Sequence, residues 1–158
     1  MVDKAQPITR EGLKKIEEEL HHLETVRRTE IADKIKQAKE LLSTPNDAEY
    51  EDAKNEQAML EGRIQQLQSL IQNAELIDED GAHRSKTVML GSTVKVKSSE
   101  DPKGHEYTIV GPAEADPREG KISHESPVGR ALIGKKLHDE VIVNAPKGPV
   151  TLKITKIS

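Results

Sequence analysis

The side chains that most often carry out chemistry in proteins form few patterns in this sequence. Its six histidines are scattered without metal-ligand spacing, and it has no cysteine, so the sequence predicts neither a zinc site nor thiolate chemistry. A glycine-rich phosphate loop and a nucleophile–base–acid motif are also absent from the sequence. One polar stretch, residues 41–50, separates two long helical patterns and carries Asp47 and Glu49. We expect functional residues in this stretch.

Two helical patterns flank this stretch. In both, apolar residues recur at alternating three- and four-residue steps, as in the seam of a coiled coil. The first pattern comprises Leu13, Ile16, Leu20, Leu23, Ile31, Ile35, Ala38 and Leu42, and the second comprises Ala53, Gln57, Leu60, Ile64, Leu67, Ile71 and Ala74. Pro45 breaks the helix between them, and a short connection makes neighbouring helices antiparallel. We therefore predict a helical hairpin whose turn lies at the end of a rod, where core packing cannot explain the residues.

The beginnings of both helices carry capping signals. Thr9 precedes the first helical pattern and is a suitable N-cap. Asn46 and Glu49 have the spacing of a capping box, with Asn in place of Ser or Thr. The sequence therefore predicts that the first helix begins just after Thr9 and the second just after Asn46.

The first helical pattern contains one irregularity. Leu23 and Ile31 are eight residues apart, which shifts the seam by one residue and predicts a local distortion of the supercoil. This interval contains Arg27 and Arg28. They are either surface charges or inter-helix partners of acids in the range 51–61, and the sequence leaves both interpretations open.

The period changes from helical to alternating in the second half of the chain. Four runs read as strands with a period of two, the second of them only in part: Thr93–Lys97, Tyr107–Val110, Val141–Val143 and Val150–Ile154. Ser126 and Pro127 form an N-cap and first-turn pair for a short helix that ends at Gly134. We predict an α+β chain in which residues 1–77 form the hairpin and 78–86 a linker. Residues 87–158 then form a small domain with a mainly antiparallel sheet and one short helix.

Composition limits the classes of function. The chain of 158 residues has two aromatic residues, Tyr50 and Tyr107, so its cores must consist of Leu, Ile, Val and Ala. A net charge of −4 argues against tight binding to free nucleic acid, which needs clustered Lys and Arg. No apolar run approaches the roughly 20 residues that span a bilayer, and the first residues lack the apolar core of a signal peptide. We expect a cytoplasmic protein without a membrane partner.

Both halves of the chain resemble one family, the GreA/GreB transcript-cleavage factors of bacterial RNA polymerase. The resemblance rests on motifs in each half: Ala48-Glu49-Tyr50, Glu61-Gly62-Arg63-Ile64, Gly120-Lys121-Ile122-Ser123, Ser126-Pro127 and Arg130-Ala131-Leu132-Ile133-Gly134-Lys135. It implies an antiparallel coiled-coil hairpin and an FKBP-like C-terminal domain. It also implies that the C-terminal domain docks at the rim of the polymerase secondary channel while the hairpin reaches towards the active site.

The resemblance further implies how such a factor acts. Acidic residues at the hairpin tip help to hold the second catalytic Mg²⁺ and its water, and the polymerase itself cleaves the RNA of a backtracked complex. On this basis the chain is not an enzyme by itself and has no cofactor of its own. It would share Mg²⁺ with the active site of its partner, bacterial RNA polymerase.

The tip of this chain departs from the family pattern. The family reads Gly-Asp-Leu-Ser-Glu-Asn-Ala-Glu-Tyr or close to it. Aligned on Ala48-Glu49-Tyr50, the metal-binding Asp falls on Ser43 and the metal-binding Glu on Asn46. Neither replacement carries the charge that makes a carboxylate a good Mg²⁺ ligand. With Pro45 also changing the shape of the tip, these substitutions predict weakened stimulation of cleavage.

Three interpretations of the tip remain open. In the first, the protein binds polymerase but stimulates cleavage poorly, or blocks the channel as the anti-Gre relatives do. In the second, Asp47 has taken over the role of metal ligand, together with Glu49, and cleavage is retained. In the third, both acids are structural, because negative charge at the beginning of a helix opposes the helix dipole. The capping-box spacing of Glu49 supports this third role for that residue.

The resemblance also assigns roles to residues outside the tip. Lys39 and Lys54 flank the tip, where basic residues of the family contact the extruded RNA 3′ end; the alternative is an ordinary solvated surface. A second set lies in the stretches of the C-terminal domain that the resemblance connects with docking on polymerase: Asp116, Ser126, Pro127 and Arg130.

Two other classes of function, a prolyl isomerase and a self-associating scaffold, fit the sequence less well. A prolyl isomerase needs an apolar, usually aromatic pocket, and the C-terminal domain has only Tyr107 for it. A self-associating coiled-coil scaffold would use the helical patterns between chains. The single break at Pro45 and the matched helix lengths favour a hairpin within one chain, and we therefore expect a monomer.

Overall fold

The computed structural model of the chain describes residues 5–41 and 48–158. The tip residues Ser43, Asn46 and Asp47 lie outside this range, as does the predicted capping box that includes Asn46. The chain divides into two compact units: residues 13–73 form one, and the described part of 1–12 together with 74–158 forms the other. This division differs from the predicted one at 77 and 87, because both ends of the hairpin sequence belong to the C-terminal unit.

The hairpin consists of helices that pack along an apolar seam. Helix α1 spans Arg10–His22, a π-helical turn spans Leu23–Arg27, α2 spans Arg28–Glu40 and α3 spans Ala48–Gln72. The seam buries Ile31, Leu60 and Ile64, against which Leu20, Leu23 and Ile35 pack. All six belong to the predicted helical patterns, so burial of the apolar stripe explains why the helices pair. The predicted helical hairpin is confirmed.

The π-helical turn lies in the interval where the seam spacing is irregular. Each π-helical turn holds more residues than an α-helical turn, so it absorbs the one-residue shift between Leu23 and Ile31. The hydroxyl of Thr25 donates to the carbonyl of His21 at 2.7 Å, and that of Thr29 donates to the carbonyl of Thr25 at 2.9 Å. The predicted distortion is confirmed, and these two hydroxyls support it.

A short parallel strand pair replaces the last part of the predicted second helix. Strand β1 spans Gln6–Ile8 and pairs with β2, Ala74–Leu76. The carbonyl of Ile8 also accepts a hydrogen bond from the backbone N–H of Ile77 at 2.9 Å. Our prediction that Ala74 continues the helical seam is therefore wrong, because pairing with β1 draws this segment into an extended strand.

The predicted linker contains a short helix, α4, which spans Glu79–Arg84. The side chain of Asp78 caps it by accepting a hydrogen bond from the backbone N–H of Gly81 at 3.0 Å. Ala82 is fully buried. Residues 78–86 are therefore folded as part of the C-terminal unit.

The C-terminal unit is built on a five-stranded sheet with the order β5-β4-β3-β7-β6. The strands are β3 Thr93–Lys97, β4 His105–Val110, β5 Lys121–Ser123, β6 Glu140–Ala145 and β7 Gly148–Ile157. Neighbouring strands are antiparallel except β4 and β5, which run parallel. Two 3₁₀ turns, Pro112–Glu114 and Pro117–Glu119, lie in the connection that returns the chain to the same end of the sheet.

One face of this sheet is covered by helix α5, Pro127–Leu132. The core consists of aliphatic side chains from the sheet, from α5 and from the segment before β3: Val88, Val94, Val96, Ile109, Ile122, Leu132, Val141, Val143 and Ile154. The period of two therefore marks the buried face of β3 and β6 correctly, whereas β4 ends with two consecutive buried residues, Ile109 and Val110. The α+β class is confirmed.

Candidate functional site

Asp116, predicted to contact polymerase, begins the second 3₁₀ turn. Its carboxylate accepts a hydrogen bond from the backbone N–H of Arg118 at 3.1 Å. Its backbone pairs with Lys121 through hydrogen bonds of 2.8 and 3.0 Å. Gly120 closes the loop in the left-handed region, at φ 73°, where a Cβ atom would lie 2.8 Å from the carbonyl oxygen of Glu106. Asp116 therefore holds the shape of this loop.

Ser126 fixes the beginning of α5 against β5. Its hydroxyl donates to the carbonyl of Ser123 at 2.6 Å and accepts from the backbone N–H of Gly129 at 3.1 Å. A Cβ atom at position 129 would lie 2.1 Å from the carbonyl oxygen of Ser123, so only glycine permits this close approach. The predicted N-cap at Ser126 and the first-turn position of Pro127 are confirmed.

Pro127 and Arg130 are the exposed members of the predicted docking set. They lie three residues apart on α5, so they share one face of the helix. The four residues thus separate into two groups. Asp116 and Ser126 make the local hydrogen bonds, while Pro127 and Arg130 are available to a partner.

Lys39 and Lys54 lie at the end of the hairpin nearest the tip. Lys39 is in the last turn of α2, and Lys54 is in the second turn of α3. Each follows a buried alanine of the seam, Ala38 or Ala53, and each is itself exposed. Each lysine is therefore one residue from a buried position of the seam. Glu49 lies in the first turn of α3 and is also exposed.

Charged pairs connect the two arms of the hairpin. Arg28 donates two hydrogen bonds of 2.9 Å to the carboxylate of Glu61, a bidentate pair. The hydrogen bonds from Arg28 lower the pKa of Glu61, and those to Glu61 raise the pKa of Arg28. Arg28 is thus an inter-helix partner of an acid in the range 51–61. Arg27, the last residue of the π-helical turn, instead pairs with Glu30 in the first turn of α2.

Glu114, in the first 3₁₀ turn, contacts the beginning of α1. Its carboxylate accepts the backbone N–H of Thr9 at 3.0 Å and also the Thr9 hydroxyl. The same hydroxyl accepts the backbone N–H of Gly12 at 3.1 Å, which confirms Thr9 as the N-cap. Sequence reasoning did not find this contact, because its partners are 105 residues apart.

Tyr107 lines an open groove of about 570 Å³ on the sheet. The walls are Val96, Val150 and Leu152, and His105 lies at the rim, 2.7 Å from the carboxylate of Asp101. Within residues 5–41 and 48–158, no group of three or more His, Asp or Glu side chains is placed to hold a metal ion. No helix in those ranges is long and apolar enough to cross a membrane.

The fold defines a two-unit α+β protein, with a helical hairpin and a sheet domain that presents Pro127 and Arg130 on α5. Residues 6–76 match the family profile described as "Transcription elongation factor, N-terminal", and residues 83–158 match "Transcription elongation factor, GreA/GreB, C-term". The chain belongs to the GreA/GreB family of transcription elongation factors, as its sequence motifs predicted.

Named relatives match over nearly the whole chain. The transcription elongation factor GreA of Thermoanaerobacter pseudethanolicus is 51% identical over 150 residues, which are 95% of each chain. GreA of Chloroflexus aggregans is 48% identical over 157 residues, which are 99% of each chain. A crystal structure of the GreA factor homolog 1 protein of Thermus thermophilus is 26% identical, covers 99% of both chains and has a TM-score of 0.44.

Proposed function

We propose that this protein binds bacterial RNA polymerase, inserts its hairpin into the secondary channel and modulates backtracked or paused complexes, with weakened stimulation of transcript cleavage. The observation that carries the second half of the proposal is the tip sequence. Ser43 and Asn46 stand where the family has its two metal-binding carboxylates. The first half rests on membership in the family.

The loss of these two charges has a direct chemical consequence. Mg²⁺ prefers hard oxygen ligands, and carboxylates add ion–ion attraction that hydroxyl and amide oxygens lack. The tip would lend the second Mg²⁺ of the polymerase active site less negative charge, and that ion polarises the attacking water. Asp47 and Glu49 are the acids left near the tip.

The catalytic groups of the cleavage reaction belong to the polymerase in this proposal. The protein contributes reach and position, and it is not an enzyme by itself. In this proposal Lys39 and Lys54, which are both exposed, contact the phosphates of the extruded RNA 3′ end. The protein acts as a monomer in the bacterial cytoplasm, where its partner works.

Docking on polymerase would use α5 of the C-terminal unit. Pro127 and Arg130 are exposed on this helix, and Ser126 and Asp116 hold the neighbouring loops in place. A planar guanidinium such as that of Arg130 suits recognition of a carboxylate on a partner surface.

A second candidate is a fully active cleavage factor that uses Asp47 and Glu49. The position of Glu49 in the first turn of α3 supports it, because this exposed residue is two positions from Asp47 in the sequence. It differs from the main proposal in one measurable property, the rate of RNA cleavage.

The absence of cysteine permits a sharp test of binding and insertion. A Pro45→Cys variant carries a single thiol at the tip for a photocrosslinker, and Lys147→Cys carries one on the C-terminal unit as the matched control. With backtracked complexes of the cognate polymerase, we expect the tip probe to crosslink to the active-site region or the RNA 3′ end. The control should crosslink elsewhere. Failure of the protein to bind core polymerase would refute the proposal.

A further inference from the structure

Strands β3 and β7 present lysines on the face of the sheet opposite the core. Along β3, Val94 and Val96 are buried while Lys95 and Lys97 point to the other side. The alternation continues in β7, where buried Ile154 follows exposed Lys153. Because side chains of a strand alternate between its two faces, the three lysines share the solvent face.

A β-bulge adds a fourth lysine to this face. The register between β3 and β7 shifts between Lys95 and Val96, which leaves Thr155 as the extra residue of β7. The Thr155 hydroxyl donates to the carbonyl of Lys95 at 3.1 Å. The bulge turns Lys156 to solvent, where an unbroken alternation would have buried it. We call Lys95, Lys97, Lys153 and Lys156 the lysine face.

The lysine face consists of two like-charged cross-strand pairs. Lys95 lies directly opposite Lys156, and Lys97 lies directly opposite Lys153. Two glutamates border the lysine face: Glu106 on β4 lies opposite Lys95, and Glu140 on β6 lies opposite Lys153. Even so, none of the four lysines forms a salt bridge with any residue that the structure describes.

This arrangement is not explained by the stability of the sheet. Like charges placed directly opposite one another on neighbouring strands are destabilising, and the glutamates of β4 and β6 lie opposite only Lys95 and Lys153. Lysine also protects exposed sheet edges from pairing, but β3 and β7 are interior strands of the order β5-β4-β3-β7-β6. A solvent face of Thr or Gln would fold at least as well, so the four charges point to an anionic ligand.

We propose that the lysine face binds the phosphate backbone of duplex DNA. Protein–protein interfaces are enriched in aromatic residues, Met and Arg and depleted in Lys, so this composition favours phosphates over an acidic protein. Single-stranded nucleic acid is usually held by stacking on aromatic side chains. The one tyrosine of the sheet, Tyr107, packs on the opposite, core face. The contact is therefore with the backbone alone and independent of base sequence.

The net charge of −4 does not oppose this assignment, because the charges are unevenly distributed. The lysine face concentrates positive charge within two neighbouring strands about 4.8 Å apart. Four contacts give weak, salt-sensitive binding in free solution. Such binding would serve a factor that a larger complex already holds near DNA.

The test compares two variants of equal charge in the full chain. The first replaces Lys95, Lys97, Lys153 and Lys156 with Gln. The control replaces four exposed lysines outside the lysine face with Gln: Lys14, Lys36, Lys86 and Lys147. Binding to a short fluorescent DNA duplex is followed by anisotropy at several salt concentrations, and thermal unfolding is recorded for each protein.

For the wild type we expect an affinity that falls about 100-fold between about 50 and about 200 mM salt. The lysine-face variant should lose binding and most of this salt dependence, with an unchanged or higher melting temperature. The control should retain both. Equal affinities of the two variants for the duplex would overturn the proposal, as would preferential binding of a single-stranded oligonucleotide through the same four lysines. Because polymerase is absent, the outcome is independent of the polymerase-binding proposal.

Discussion

The carboxylate of Glu114 accepts hydrogen bonds from the backbone N–H and the hydroxyl of Thr9. These two bonds connect the beginning of α1 to the 3₁₀ turn after β4. Gly12 is part of this arrangement, because a Cβ atom there would lie 2.5 Å from the carboxylate. The N-cap at Thr9 is thus combined with a contact between residues that are 105 positions apart in the sequence.

A double-mutant cycle tests this relationship. Glu114→Ala leaves the buried N–H of Thr9 without its acceptor and should cost about 1–3 kcal/mol of stability, measured by thermal unfolding. Gly12→Ala should also destabilise, because the new methyl group displaces the carboxylate. In the Glu114→Ala background, Gly12→Ala should be neutral or stabilising, since alanine is the better helix former by about 1 kcal/mol. If the losses of stability from the two single substitutions add up in the double variant, the contact between Gly12 and the Glu114 carboxylate is contradicted.

The π-helical turn predicts the result of a deletion. Removing Val26, an exposed residue of that turn, shortens the interval between Leu23 and Ile31 from eight residues to seven. A continuous α-helix then keeps the seam in phase, so we expect equal helix content by circular dichroism and an equal or higher melting temperature. Deleting Ala32, just beyond the interval, is the control and should destabilise because it shifts the following seam residues. Equal losses in both deletions would contradict the assigned role of the turn.

The pair of Arg28 and Glu61 predicts a pH dependence. The pKa of Glu61 is lowered by the hydrogen bonds from Arg28, so the pair stabilises the hairpin above the ordinary carboxyl range and loses this effect as pH falls through the lowered pKa. Glu61→Gln should therefore reduce the melting temperature at neutral pH, and the difference from wild type should vanish in acid. Glu18→Gln, at an exposed position, is the matched control for the change from Glu to Gln. A deficit that persists in strong acid would exclude the ion pair as its cause.

Replacing Arg130 should reduce binding to polymerase without reducing the stability of the fold. Its side chain is exposed on α5, so Arg130→Ala should leave the melting temperature unchanged. If α5 docks on polymerase, affinity for the core enzyme should fall about tenfold, or about 1.4 kcal/mol, in a titration. Lys147→Ala on the β6–β7 turn is the control and should bind normally. Unchanged affinity of the Arg130 variant would remove α5 from the docking surface.

The sequence predicted the elements that repeat a period over many residues. The helical seam through Ile31, Leu60 and Ile64 and the alternating strands β3 and β7 were correctly placed, because burial of one face imposes the period. The pair of β1 and β2 was missed, since strands of three residues show no period and form only through pairing with a distant segment. Ala74 followed the helical spacing and was assigned to the wrong element for this reason.

In the candidate site, too, local features could be predicted from the sequence and long-range contacts could not. The N-cap at Ser126 could be predicted because capping depends on adjacent residues. The contact between Glu114 and Thr9 could not, because it depends on the tertiary fold. The lysine face lies between these cases: alternation places Lys95 and Lys97 together, but only the bulge at Thr155 brings Lys156 beside them.

The proposal predicts that Ser43 and Asn46 weaken the metal-binding function of the tip. The most direct test measures RNA cleavage in backtracked complexes of the cognate polymerase with the wild type and with Ser43→Asp/Asn46→Glu. We expect little stimulation by the wild type and a rate at least about tenfold higher with the double variant, a change of about 1.4 kcal/mol in the barrier. Asp47→Asn in the wild-type background should then change nothing. Strong cleavage by the wild type that Asp47→Asn abolishes would contradict the account and assign the ligand role to Asp47.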